Sequence, residues 1–133
     1  MPPMKRQPLS GDPAGVLEEV TRGYVLLDDA VIAFADADDV AAIAFIVGGR
    51  TGLPSTVVER AFKAKSTGPA TLVCRAAGLG ANAFSAVLRL RRRRLREDSV
   101  NPAHVLADFL QTPMQVAHGA VAMMKENADP KAR

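Results

Sequence analysis

Two stretches of this chain match each other at a fixed offset. Residues 45–53 (FIVGGRTGL) align with residues 71–79 (TLVCRAAGL), and beyond them Val58 aligns with Phe84, Ala61 with Val87, Phe62 with Leu88 and Lys63 with Arg89. Each copy reads as a short apolar helix, a Gly-Leu turn and a second, amphipathic helix. One helix pair cannot bury its own apolar face, so pairs must stack around a shared core. The expected fold is all-α: a stacked helix–turn–helix (HEAT-like) repeat, or an irregular bundle of about six to seven helices.

Composition agrees with a helical chain. Hydrophobic residues make up 48%, but Trp is absent and Tyr24 is the only tyrosine. Strands favour aromatic and β-branched residues, whereas the Ala and Leu that abound here favour helix. Residues 1–15 carry Pro2, Pro3, Pro8 and Pro13 with Gly11 and Gly15, and read as a disordered leader. Residues 16–126 read as one helical domain, and 127–133 as a flexible tail. Within the domain, Leu17, Val20, Tyr24, Leu27, Val31 and Phe34 fall at helical spacing, with Gly23 breaking or bending the run. Asp38 or Asp39 is expected to cap the next helix, which ends at Gly48-Gly49. Thr56-x-x-Glu59 is a capping-box pattern. Gly68-Pro69 starts the next helix, and Gly78 with Gly80 turns into a long one over residues 81–96. Asn101-Pro102 and Thr112-Pro113 read as cap-then-proline starts.

Several chemistries fit poorly. A single cysteine, Cys74, precludes an internal disulfide, and no apolar run has the length of a signal peptide or a membrane span. Cytoplasmic is the expected location, with no membrane partner. Gly78-Leu79-Gly80-Ala81-Asn82-Ala83 fits the dinucleotide G-x-G-x-x-A pattern, with Asp98 about 20 residues on. However, the aligned copy has Pro54 in place of the second glycine, so the repeat explains these glycines as turns and no cofactor is expected. Asp36-x-Asp38 opens like a calcium loop, yet Ala41 and Val47 stand where the glycine and the bidentate glutamate belong. His104 and His118 have no Cys or Glu at ligand spacing, so no metal is expected. Cys74 sits on an apolar helix, where a buried thiol is the ordinary outcome. No catalytic residue stands out, and the chain reads as a non-enzyme.

The charge distribution is more informative. The net charge is only +3, but residues 24–62 hold six acids against two bases, and residues 63–96 hold nine bases and no acid. A chain so polarised can steer a partner, or a second copy of itself head to tail. On the long helix, Arg89, Arg92, Arg93 and Arg96 recur at i, i+3, i+4 and i+7 and share one face, while Arg91 lies nearer the apolar side and is expected to snorkel. Arg75 adds to the basic set. Guanidinium groups held this close call for anions. These can be acids of the same fold, an acidic protein surface (including another copy), or a phosphate backbone. Nucleic acid is the alternative partner, disfavoured because no aromatic residue accompanies the stripe to stack on bases. The leading expectation is a protein-interaction or regulatory domain that uses this basic helix face.

Residues 23–62, GYVLLDDAVIAFADADDVAAIAFIVGGRTGLPSTVVERAF, resemble the helical unit of the bacterial family called domain of unknown function 2336, known chiefly from alphaproteobacteria. CRAAGLGANAFSAVLRLRRRR, residues 74–94, resembles the next unit with its Ala-Gly-Leu turn, and the helices from Asn101 resemble the family's C-terminal end. The resemblance implies a short member with a helical-repeat architecture. It brings no activity and no catalytic residues.

Overall fold

A computed structural model describes residues 12–96 and 101–128. The described residues form eight α-helices and no strand: α1 Pro13–Thr21, α2 Leu27–Asp36, α3 Val40–Thr51, α4 Ser55–Phe62, α5 Gly68–Ala77, α6 Ala81–Leu95, α7 Pro102–Gln111 and α8 Met114–Ala128. The all-α expectation holds, in the form of an irregular bundle. No single described helix is long and apolar enough to cross a membrane. The bent pair Val40–Thr51 and Ser55–Phe62 has the length and composition but turns by 118° and supplies much of the core.

The two Gly-Leu turns are equivalent in the structure. Gly52 (φ 81°) and Gly78 (φ 89°) both adopt the left-handed conformation that ends a helix at low steric cost. Leu53 and Leu79 follow them into the core. After the turns the two copies part company. Helices α3 and α4 pack against each other, whereas α6 leaves α5 and lies along α2. The cause is at the start of α6. Gly80, its N-cap residue, has no side chain to accept from the helix's free N–H groups. Instead, Asp28 on α2 presents both carboxylate oxygens to the Gly80 N–H at 3.0 and 3.1 Å. A β-carbon at residue 80 would collide with that carboxylate, which gives the second glycine of the nucleotide-like motif its structural reason. A helix, not a strand, precedes the motif, so the dinucleotide reading lacks its context.

Helix α3 is the centre of the core, with Ala42, Ile43, Ala44, Ile46 and Val47 buried. Val31 and Phe34 of α2, Val73 and Cys74 of α5, and Phe84 and Val87 of α6 close around it. Phe84 stacks on Phe109 of α7 with ring centroids 4.1 Å apart and planes 7° from parallel, which fixes α7 on α6. Helix α8 covers α5.

Several local expectations are corrected. Of the leader expected over residues 1–15, residues 12–15 are helical or cap a helix, since Asp12 accepts from the Gly15 N–H and Pro13 takes the first helical position. Its residues 1–11 lie outside the described residues. Helix α8 continues through Asn127 and Ala128, and residues 129–133 of the expected tail also lie outside. Gly23, at φ 84°, ends α1 outright, so α2 begins at Leu27 and Tyr24 is exposed instead of sharing the apolar stripe. Val25 is buried in its place. Helix α3 runs on through Gly48-Gly49 to Thr51, Gly49 admitting the Leu17 side chain of α1 and Gly48 the Leu53 carbonyl. The Thr56-x-x-Glu59 box is not used: α4 starts at Ser55 behind Pro54, without a side-chain cap. Thr112 donates back to the Asp108 carbonyl of α7 and does not cap α8. Asn101 does cap α7, accepting from the Ala103 N–H, and Asp39 caps α3 through the Ala42 N–H.

The Asp28 contact is expected to carry measurable stability. Asp28→Ala should lower the unfolding free energy by about 1–2 kcal/mol in urea denaturation. Gly80→Ala should destabilise as well, although alanine favours helix elsewhere. A wild-type midpoint for either variant would refute the assignment.

Candidate interaction site

The arginines of α6 meet three different fates, set by their angle around the helix. Arg91 is buried, at 3% exposure, and donates to the carbonyl oxygens of Phe62 (2.7 Å) and Lys65 (3.0 Å). The expected snorkelling side chain is therefore a core group, collecting backbone acceptors where α4 ends. Arg93 turns toward α2. It donates to Asp38 Oδ1 through Nε (3.2 Å) and Nη2 (2.9 Å), and to the Ala35 carbonyl at 2.9 Å. Arg94 donates to the Asp38 carbonyl at 2.7 Å. These two arginines act on the C-terminal end of α2, where cations complement the helix dipole.

Asp38 itself sits at φ 60°, in the left-handed position where glycine is the cheapest residue. Its N–H and that of Asp39 bond back to Ala35 and Phe34, completing the Schellman pattern. The aspartate trades backbone strain for a carboxylate aimed at Arg93. Asp38, the second acid of the Asp36-x-Asp38 pattern, thus has a structural role at the end of α2.

Arg75 is likewise engaged inside the fold. Its Nε donates to the Thr112 carbonyl at 2.9 Å, and its guanidinium lies 5.5 Å from the Phe109 ring centroid. It braces α5 against the end of α7. Of the five arginines expected at a partner site, Arg75 and Arg93 therefore have structural partners. Arg96 closes α6 in a left-handed conformation (φ 53°) and is exposed.

Arg89 and Arg92 remain. Both are exposed, and among the described residues neither has an acidic partner. They stand one turn apart on the rim of a groove of about 200 Å³ between α6 and α7. Leu88 and Leu106, with Pro102 and Ala103, make its floor, and Ser85 closes one end. The Phe84–Phe109 stack sets the spacing of the two walls. A second groove of about 210 Å³ lies on the opposite flank of α6, where Lys63 and Arg94 edge Val40, Phe62, Val87, Leu90 and Leu95. Its cations are already engaged, Lys63 with Glu59 at 3.7 Å and Arg94 with the Asp38 carbonyl. Sequence reasoning placed Arg89 and Arg92 on the basic face. It missed the groove, which exists only once α7 is docked.

The remaining reactive groups do not converge. His104 and His118 are exposed on different helices, and Cys74 is fully buried on α5. Burial pushes the Cys74 thiol well above the ordinary thiol range. Among the described residues no three of His, Cys, Asp and Glu come together as a metal would require.

Two predictions follow from these placements. Native protein should resist thiol-specific labelling of Cys74 and become reactive only on unfolding. Above the ordinary thiol value of 9.0, the unfolded chain releases a proton that the folded chain keeps. The Cys74 contribution to stability is intact below that pH and falls as pH rises, by at most about 1.4 kcal/mol per unit. Cys74→Ala should flatten this decline in alkaline denaturation curves, and an unchanged slope would contradict it. Separately, Asp38→Gly should leave stability within about 0.5 kcal/mol of wild type, relief of backbone strain offsetting loss of an exposed ion pair. A much larger loss in urea denaturation would show that the carboxylate outweighs the strain.

Compared with known protein families, curated proteins and solved structures, the chain finds no match.

Proposed function

We propose that this chain is a non-enzymatic protein-interaction domain of the cytoplasm, binding an acidic partner segment in the α6–α7 groove. The observation that carries the reading is the pairing of Arg89 and Arg92, cations without an acidic partner among the described residues, with an apolar floor between them and α7. Two guanidinium groups one turn apart attract carboxylates. The floor beside them takes one bulky apolar side chain, the arrangement in which a buried anchor supplies affinity and rim charges supply orientation. An acidic segment with a single leucine or aromatic anchor meets both demands. A phosphate backbone would use the charges and leave the floor empty.

The same reading extends to origin. The resemblance of residues 23–62 and 74–94 to domain of unknown function 2336 supports a short bacterial member of that family with a helical-repeat architecture.

The test is fluorescence anisotropy with a labelled peptide carrying one leucine between aspartate pairs. Wild type should bind it, with affinity falling as salt rises. Arg89→Glu with Arg92→Glu should weaken binding by about tenfold or more, while Arg93→Gln, which touches only the intramolecular contacts with Asp38 and the Ala35 carbonyl, should leave it within about twofold. No binding, or equal loss in both variants, would overturn the proposal. Tighter binding of duplex DNA than of the peptide, with a steep salt slope, would replace it by the nucleic-acid reading.

A further inference from the structure

The α6–α7 groove has a chemical complement elsewhere on the same molecule. In the connection between α1 and α2, Val25 is buried, and the residues on either side of it, Tyr24 and Leu26, are each 56% exposed. The N–H groups of Tyr24 and Val25 both bond to the Glu19 carbonyl, folding this corner back onto the end of α1. Its two exposed side chains are therefore held on a fixed backbone. Residues 18–29 surround them with four carboxylates, Glu18, Glu19, Asp28 and Asp29, and one cation, Arg22. Arg22 is paired with Glu18 at 2.9 Å. The corner is an apolar knuckle in a net negative setting.

We infer that the groove of one molecule receives the Tyr24–Leu26 corner of a second copy, so that the protein associates head to tail. This inference rests on the reading of the groove given above and names its occupant. Leu26 suits the floor formed by Leu88 and Leu106, and the Tyr24 ring can lie against a guanidinium of Arg89 or Arg92. The acidic surroundings of the corner meet the two exposed cations on the rim of the groove, Arg89 and Arg92.

Geometry makes the contact intermolecular. Asp28 touches Gly80, so the corner lies at the N-terminal end of α6. Arg89 and Arg92 lie about 13–18 Å further along the helix at its ordinary rise per residue. The corner is held on the end of α1 by the Glu19 carbonyl, away from the Arg89–Arg92 rim, so the contact is drawn between molecules. Each copy thus offers one knuckle and one groove, which makes the interface heterologous rather than self-complementary. A contact of this size is expected to be weak and strongly dependent on concentration and salt.

Sedimentation equilibrium of the full chain tests it. At low salt the average mass should rise with concentration above the monomer value of 14.1 kDa, and high salt should return it. A corner variant (Tyr24→Ser with Leu26→Ser) and a groove variant (Arg89→Glu with Arg92→Glu) should each stay monomeric with an unchanged helical circular-dichroism signal. Mixed in equal amounts, they retain one intact interface between them and should form dimers and nothing larger. Because Tyr24 is the only tyrosine and Trp is absent, tyrosine fluorescence of the groove variant should change when the corner variant is added. A wild type that is monomeric throughout, or a mixture that fails to dimerise, overturns the inference. The corner variant should still bind the leucine–aspartate peptide. If it does while wild type stays monomeric, only self-association falls; if it does not, the groove reading falls too.

Discussion

Helices α2 and α6 run side by side in the same direction, because Asp28 meets Gly80 at one end and Asp38 meets Arg93 at the other. Parallel neighbours set like ends of their dipoles together, which is unfavourable unless the ends are compensated. Both ends are. The Asp28 carboxylate answers the positive N-terminus of α6, and Arg93 and Arg94 answer the C-terminal carbonyls of α2. Much of the remaining architecture depends on this alignment. It takes α6 away from α5, presents Phe84 to Phe109, and so creates the wall on which α7 builds the groove.

The arginine-rich half of α6 then serves three neighbours at once. Successive residues turn by about 100° around a helix, so a run of four arginines cannot face one way. Arg91 points into the bundle and fastens α6 to the end of α4. Arg93 and Arg94 fasten it to α2, and Arg92 joins Arg89 on the α7 side. What looks in sequence like a single basic stripe is divided between cohesion and exposure. The cohesive members hold the exposed pair on a helix that has little freedom to tilt, which favours recognition by preorganised charge.

Much of the fold was legible because its signals are local. The all-α class, the Gly52 and Gly78 turns, the Asn101-Pro102 start and the long helix after Gly80 each follow from residues within a few positions of one another. The misreadings have two causes, local backbone choices that override a pattern and pairing with distant partners. Thr56 and Glu59 satisfy a capping pattern, but α4 begins one residue earlier, at Ser55, with no side-chain cap. Tyr24 keeps helical spacing, but the left-handed Gly23 turns the chain and Val25 takes the buried place. The fates of the arginines were the least legible. Arg93 and Asp38 stand 55 positions apart and Arg91 and Phe62 stand 29 apart, so charge counting had no means of pairing them. The groove floor, which joins Leu88 to Leu106, is equally a product of tertiary docking.

The alignment of α2 with α6 also bears on how the chain is made. Synthesis proceeds from the N-terminus, so Val31 and Phe34 emerge well before Phe84 and Val87, the residues that cover them. At about 5–20 residues per second, several seconds separate the two. Throughout that interval the apolar face of α2 has α1 and α3 for neighbours but lacks its main partner, and Asp28 has no helix end to receive it. The nascent chain therefore passes through a stage with an exposed hydrophobic strip next to unsatisfied carboxylates, and completing α6 closes both together. The segment that closes this face last, α6 with its cap Arg96, carries six of the chain's twelve arginines.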